Sequence, residues 1–171
     1  AKRQLTWMRR DGHWKHVGPE EWDIALQYIA MVRDQGLHIE QHSGNTPSPA
    51  VFFERYHQLP KLPKTAICLM EGDRIAGAVP LWSKRHYHLL ASPVLPEAYR
   101  RPGLAELLLH EAIHITEFST CFARVPESIE PFLRRFGFDH VDQAPPDISE
   151  QFPARTFAGE STVFLFRETV S

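Results

Sequence analysis

The stretch VLPEAYRRPGLAELLL (Val94–Leu109) decides the expected fold, because it changes from an extended to a helical pattern within a few residues. Its centre contains Gly103, which lets the backbone approach a ligand closely. The helix that begins there presents unpaired backbone N–H groups and the positive end of its dipole. Arg100 and Arg101 add positive charge beside them. The stretch therefore predicts a site for an anionic group such as phosphate.

Strands and helices alternate on both sides of this stretch, which predicts an α/β or α+β layer fold. EGD (Glu71–Asp73), between two apolar runs, predicts a hairpin. All 171 residues, 1–171, are expected to form a single domain, since nothing in the sequence marks a boundary or a repeat. We predict strands at 5–10, 65–70, 74–82, 85–92, 120–125, from 138, and 161–168, and helices at 18–36, 48–59, 103–117 and 126–136.

Two local expectations concern the N-terminal third of the chain. In the helix at 18–36, Trp22, Ala25, Ile29 and Val32 recur with helical spacing, so we expect them to form its buried face. The following segment, EQHSGNTPSPA (Glu40–Ala50), is rich in turn-forming residues and is predicted to be a loop.

Composition limits the class of protein and of partner. Apolar residues make up 43 % of the chain and charged residues 23 %, as in soluble globular domains, and the formal net charge of -2 gives no general attraction for nucleic acid. No apolar run is long enough to span a bilayer, and the N-terminal residues lack the apolar core of a signal peptide. Cys68 and Cys121 are too few for a disulfide framework, so we expect reduced core cysteines in a cytoplasmic protein.

Three segments in order resemble the GCN5-related N-acetyltransferases (GNAT). Arg100-x-x-Gly103-x-Ala105 is similar to the R/Q-x-x-G-x-G/A signature of that family, and the preceding Val94 to Arg100 is similar to its V-x-P-x-Y-R lead-in. EGDRIAGAVPLW, upstream, resembles the family's central hairpin, and VPESIEPFLRRFGF, downstream, resembles its later helix. The resemblance is clearest from about Cys68 to Phe138, under half of the chain.

The resemblance implies a mixed, mostly antiparallel sheet flanked by helices, with a splayed strand pair at a coenzyme site. It implies acetyl-CoA as cosubstrate, no metal, and acetyl transfer to the amine of a small molecule or peptide by direct attack. An exposed edge strand would also make a homodimer reasonable. The residues that the resemblance assigns to the coenzyme are Val94, Leu95 and Pro96 for the pantetheine arm, and Arg100, Arg101, Gly103, Leu104 and Ala105 for the pyrophosphate.

Three features depart from the family pattern. The lead-in has one extra residue between Pro96 and Tyr99. Pro102 lies inside the phosphate loop and has no N–H to donate. Leu133 stands where many family members have the tyrosine that protonates the leaving thiolate. The last two departures favour an alternative in which the chain keeps the fold, and even the coenzyme, as a binding protein without turnover.

The general base is assigned to His88. Family members often place a base on the strand before the phosphate loop, and His88 lies on that predicted strand and titrates near neutrality. Tyr87 and Ser92 are lesser candidates, and an ordinary hydrogen-bonded strand histidine is the competing interpretation for His88.

The sequence HEAIH (His110–His114) offers a different function, because H-E-x-x-H on a helix is the zinc-peptidase motif. The helix spacing instead favours a solvated face made of Glu106, His110, His114 and Glu117, opposite an apolar side that ends at Ile115. No distinctive third ligand follows in the sequence. A zinc metallopeptidase is therefore kept as the less favoured alternative.

Overall fold

The computed structural model describes residues 20–43, 48–56, 62–101, 103–116, 119–142, 144–146, 148 and 162–168. Its helices and strands, in chain order, are α1 Trp22–Gln35, β1 Leu37–Ser43, α2 Pro49–Tyr56, β2 Thr65–Glu71, β3 Arg74–Ser83, β4 His88–Ala91, a 3₁₀ turn Glu97–Tyr99, α3 Leu104–Ile115, β5 Cys121–Pro126, a 3₁₀ turn Glu127–Ile129, α4 Glu130–Arg134, β6 Asp139–His140 and β7 Thr162–Arg167. The predicted strand at 5–10 lies outside the described residues. The single domain over 1–171 stays a prediction.

The described strands form one seven-stranded sheet in the order β1-β2-β3-β4-β5-β7-β6. All neighbouring pairs are antiparallel except β4 and β5, which run parallel. A parallel pair needs a long crossover, and α3 supplies it. The mixed, mostly antiparallel sheet expected from the sequence is therefore confirmed.

The helices cover both faces of the sheet. Apolar side chains of α1, α3 and α4 pack with one face in the main core, where Leu108 and Leu133 are fully buried. On the opposite face, Phe52 and Phe53 of α2 pack against β2 and β3. Among the described residues, none of the helices combines the length and hydropathy that a membrane crossing requires. Both cysteines are buried free thiols, and burial raises the pKa of Cys68 to about 12.

The predicted buried face of α1 is wrong. The side chains that face the core are those of Ile24, Tyr28 and Met31, whereas Trp22 and Ile29 are 74 % and 58 % exposed. Both sets have helical spacing, so periodicity alone could not choose between them. Contact with α3 decides the choice, because that neighbour offers polar side chains that Tyr28 can reach.

Part of the predicted loop at 40–50 is also wrong, since Glu40 to Ser43 belong to β1, which pairs antiparallel with β2. The overlooked signal is the alternation before it: Leu37 and Ile39 are buried and His38 is exposed, as in a half-buried edge strand. Polar residues on the outward side of such a strand resemble a loop in composition.

The expectation of a solvated face for His110 is wrong as well. His110 is fully buried, while Ile115, assigned to the apolar side, is 41 % exposed. The polar stripe of α3 faces α1, where Tyr28 and Glu21 supply polar partners. A polar stripe on a helix therefore indicated a polar contact between helices here, and not exposure to water.

Candidate functional site

The phosphate loop predicted from the sequence adopts the geometry of an anion-binding helix N-terminus. Gly103 occupies the N-cap position of α3 with φ 88° and ψ -22°, a left-handed conformation that glycine adopts readily. No side chain caps the helix there. The first turn of a helix provides no internal partner for its early N–H groups, so those of Ala105 and Glu106 point out of the helix end. Pro102 lies outside the described residues.

Gly103 is also packed against α1. A Cβ atom placed on Gly103 would lie 2.5 Å from Cδ of Gln27, too close for any real contact. The loop and α1 are thus in direct contact through the backbone of Gly103. The left-handed conformation favours glycine at this position, and a Cβ atom there would also require the end of the Gln27 side chain to move.

Side chains fasten the loop to the sheet on its other side. Arg100 Nε donates to the carbonyl oxygen of Leu95 at 3.1 Å. The Tyr99 hydroxyl donates to Glu71 Oε2 at 2.7 Å and accepts a hydrogen bond from Arg74, which also pairs with Glu71. The Tyr99 hydrogen bond is the main reason that the pKa of Glu71 is lowered. The loop is thereby held against the β2–β3 hairpin.

The end of β4 contains a bulge. A register continued from the Leu81–Leu90 pair would place Ala78 opposite Pro93, but Ala78 pairs with Val94. One extra residue therefore lies between Leu90 and Val94 on the β4 side. Val94 N–H donates to Ala78 O at 2.8 Å and Ala78 N–H donates to Val94 O at 3.0 Å, which restores the pairing beyond the bulge.

The bulge coincides with the point at which β4 and β5 separate. Their parallel ladder ends at the pair of Ala91 and Arg124, whereas β5 continues to Pro126 beside β7. Beyond Ala91 the chain stays with β3 instead. The expected splayed strand pair is confirmed, and it opens at the end of the sheet that leads into the phosphate loop.

The predicted pantetheine-binding residues lie at this opening, but they do not offer equal donors. The amide of Val94 is already used by Ala78, and Pro96 has no N–H. The backbone donor that remains in this stretch is the amide of Leu95. Gly77 on β3 makes room for the stretch, since a Cβ there would clash with the Leu95 side chain and lie 3.3 Å from Val94 O.

His88 lies at the other end of β4. It pairs with Cys121 in the closed part of the parallel ladder, and its Nδ1 is 3.0 Å from Ser83 Oγ. Three residues at about 3.3 Å each put it about 10 Å from the Ala91 pair where the strands separate. Burial lowers the pKa of His88, so the neutral form predominates at pH 7. The structure therefore does not bring His88 into direct contact with the splay.

Leu133, at the position of the family's tyrosine acid, is fully buried in the main core. Its side chain packs in the core cluster that contains residues of α3 and the sheet, so this position offers no group that could protonate the thiolate. The residues that follow β5 at the open end are exposed polar ones, Glu127 and Ser128. The sequence does not indicate these two residues as site residues, because a short 3₁₀ turn has no distinctive sequence pattern.

Comparisons with known proteins place the fold. The sequence matches no protein-family model and no curated protein. The structure is similar to a GNAT family acetyltransferase from Elizabethkingia anophelis with acetyl-CoA bound: the TM-score is 0.52 at 15 % identity, covering 78 % of this chain and 99 % of that one. On the strength of this match the chain has the GNAT acetyltransferase fold, as the sequence resemblance implied.

Two further solved structures align over a similar share of the chain. The Bacillus subtilis acetyltransferase in complex with CoA aligns with a TM-score of 0.48 at 15 % identity, over 78 % of this chain and 99 % of that one. Tetrahymena GCN5 aligns with a TM-score of 0.48 at 10 % identity, over 78 % and 98 % of the two chains.

Proposed function

We propose that this chain, which has the fold of the GNAT acetyltransferases, is an N-acyltransferase that moves an acetyl group from acetyl-CoA to the amine of a small molecule or peptide. The observation that carries the proposal is the position of the bulge. It lies at the open end of the β4–β5 pair, in the segment that leads through the Glu97–Tyr99 turn to the helix N-terminus at Gly103. The pantetheine arm and the pyrophosphate of one coenzyme molecule could therefore bind in neighbouring places.

The phosphate end of acetyl-CoA is assigned to the loop. Ala105, with its outward N–H group, would hold the pyrophosphate, and the dipole of α3 favours its negative charge. Gly103 is buried and would contribute through the left-handed turn that it gives the loop. Arg100 and Arg101 are exposed beside them. Leu104 lies in the loop but does not offer its N–H to the pyrophosphate, because that N–H already donates to Arg101 O at 3.3 Å.

The acyl end is assigned to the bulged stretch, with Leu95 N–H as donor and Val94 and Pro96 as walls. The reaction requires a neutral amine, a donor to the thioester oxygen as charge develops there, and departure of the thiolate. No covalent enzyme intermediate is needed. Because Leu133 cannot protonate the thiolate, the leaving group would take its proton from water. Turnover should therefore be slower than with a positioned acid.

Thermal unfolding in the presence of acetyl-CoA or free CoA tests the coenzyme site. At a hundredfold excess over the dissociation constant, either ligand is expected to raise Tm by about 5–10 °C. NADH, which has a pyrophosphate and an adenosine but no pantetheine arm, is the control and should give a much smaller shift. Equal shifts with NADH, or none with CoA, would contradict the proposal.

Release of free thiol from acetyl-CoA, measured against a panel of primary amines, then separates enzyme from binding protein. Amine-dependent release supports the transferase. Binding without release from any amine supports the alternative of a GNAT-fold protein that binds the coenzyme without turnover, and Leu133 gives the physical reason for it.

His88 stays the predicted base, and the structure adds that it would have to act through a water chain across about 10 Å. His88→Ala is then expected to lower kcat by about 10²–10⁴ and to remove the acid limb of the kcat/KM profile. The sign follows from its lowered pKa: the neutral base is lost as pH falls through a value below 6.5. His86→Ala, an exposed neighbour, is the control. An unchanged profile in His88→Ala contradicts the assignment.

The remaining expectations about context also stay proposals. Two buried free thiols fit a reducing compartment, so we place the reaction in the cytoplasm. The near-neutral net charge gives no reason to expect a nucleic-acid partner. A homodimer is tested by the molar mass of the protein in solution.

A further inference from the structure

Three side chains with metal-ligand chemistry meet between α1 and α3, away from the phosphate loop. His110 Nε2 lies 3.1 Å from His114 Nε2 and 3.4 Å from Glu21 Oε2. One ligand atom from each of the three residues lies within 4.8 Å of the other two. Both histidines come from the H-E-x-x-H segment, and Glu21 is the third ligand that the sequence pattern did not reveal.

The hydrogen bonds behind His110 fix the direction of its lone pair. The Tyr28 hydroxyl donates to Glu111 Oε1 at 2.5 Å, so its oxygen is left to accept from His110 Nδ1, 3.3 Å away. This assigns the ring proton of His110 to Nδ1 and the lone pair to Nε2. The Nε2 atom therefore presents a lone pair toward a carboxylate oxygen and toward a second imidazole nitrogen.

The two separations from His110 Nε2 are close to those of ligands around one small cation. Zinc binds imidazole nitrogen and carboxylate oxygen at about 2.0–2.2 Å, and tetrahedral angles then separate the ligand atoms by about 3.3–3.5 Å. Of the two distances from His110 Nε2, the one to Glu21 Oε2, 3.4 Å, lies in that range, and the one to His114 Nε2, 3.1 Å, is slightly shorter. We propose that Glu21, His110 and His114 bind a divalent cation of the zinc class, with Tyr28 and Glu111 as its outer hydrogen-bonding partners. This replaces the expectation, drawn from the sequence, of no metal.

The surroundings suit such a site. His110 is fully buried and packs edge-on against Phe136 at 5.6 Å, while the Glu21 side chain is 18 % exposed. Glu21 occupies the N-cap position of α1, yet its side chain makes no cap hydrogen bond and extends to α3 instead. The buried side is closed by protein, and the Glu21 side reaches solvent, so water has access to a fourth position.

The location gives the cation a structural role. Glu21 is at the start of α1 and the two histidines are in the second half of α3, so the ion would join these helices. Gln27 of α1 packs on Gly103 at the start of α3. The ion would thus fix the helix that covers the phosphate loop. Glu111, the base in a peptidase motif, is held by Tyr28 as an outer partner.

Zinc titration of the metal-stripped, full-length protein tests the site without any assay of acetyl transfer, so the proposal does not depend on that function. We expect one zinc per chain, and a Tm raised by about 5–10 °C at a hundredfold excess over the dissociation constant. Co²⁺ in the same site should give the visible absorption of tetrahedral coordination.

Substitutions test whether zinc binds at this cluster or at other histidines of the chain. Glu21→Gln keeps the shape of the side chain and His114→Ala removes a ligand, and each should abolish the zinc-dependent rise in Tm. Tyr28→Phe removes an outer partner and should weaken zinc binding by about 10- to 100-fold. His86→Ala, an exposed histidine, is the matched control and should bind zinc like the unaltered chain.

Each contrary outcome overturns a stated part of the proposal. Zinc binding that is unchanged in Glu21→Gln and His114→Ala places the metal at other groups. Absence of stoichiometric zinc binding makes the cluster a plain hydrogen-bond network. Zinc-dependent cleavage of peptides that Glu111→Gln abolishes would replace the structural role by a peptidase.

Discussion

Gly103→Ala is expected to weaken acetyl-CoA binding by about a hundredfold. A residue with a Cβ atom pays about 1–2 kcal/mol to adopt the left-handed conformation, and the φ of 88° at this position requires that conformation. The new atom would also displace Gln27. Shifting the loop would misalign the N–H groups of Ala105 and Glu106, to which we assign the phosphates, and hydrogen bonds to charged groups contribute about 1.5–3 kcal/mol each. Isothermal titration with acetyl-CoA measures the loss.

Gly72→Ala is a matched control, because Gly72 also has a positive φ, 58°, but no atom lies within 4 Å of the position that a Cβ atom would take there. It should lose a similar 1–2 kcal/mol of conformational energy, roughly, and bind acetyl-CoA normally. The double variant Gly103→Ala with Gln27→Ala should recover the part of the loss that arises from the clash. Equal acetyl-CoA affinity in Gly103→Ala and Gly72→Ala would contradict the assignment of the loop.

Arg167→Met is expected to lower the free energy of unfolding by about 2–4 kcal/mol, and Tm by about 5–15 °C. Arg167 is almost completely buried, and its guanidinium donates to Thr116 O at 2.8 Å and to Thr116 Oγ1 at 3.2 Å, over the ring of Phe138. A cation at the C-terminal end of α3 also complements the helix dipole. Methionine would keep the volume but leave the last carbonyl groups of the helix without this donor.

Arg135→Met is the control for Arg167→Met. Arg135 is exposed and pairs with Asp23 at 3.0 Å, and exposed pairs contribute about 0–1 kcal/mol. Urea denaturation of the two variants, compared at equal m-values, measures both effects. If both variants lose the same small amount of unfolding free energy, the stability of the C-terminal end of α3 does not depend on Arg167.

Elements whose sequence pattern has one physical interpretation could be predicted. The β2–β3 hairpin follows from apolar runs around a short turn, and α3 follows from its glycine start and its apolar spacing. The phosphate loop was predictable because its glycine, its arginines and the helix behind it are contiguous in sequence. All of these features depend on neighbours along the chain.

Features that depend on distant partners could not be predicted. The buried face of α1 and the burial of His110 are two sides of one helix contact, and neither helix alone specifies it. Glu21 is 89 residues from His110 in sequence, so the acidic ligand of the cluster has no spacing rule. The bulge in β4 is visible only when the pairing with Ala78 is known.

That bulge makes the chain tolerant of the loss of one residue at one place. Val94 packs with the cluster on one face of the sheet and Leu95 with the core on the other. The bulge absorbs one extra residue between Leu90 and Val94, so losing one residue there would remove the bulge and leave Val94 and Leu95 on their present sides. In a regular strand the same deletion would exchange the two faces, so the bulge marks a place where the strand could shorten by one residue during evolution without turning apolar side chains away from their clusters.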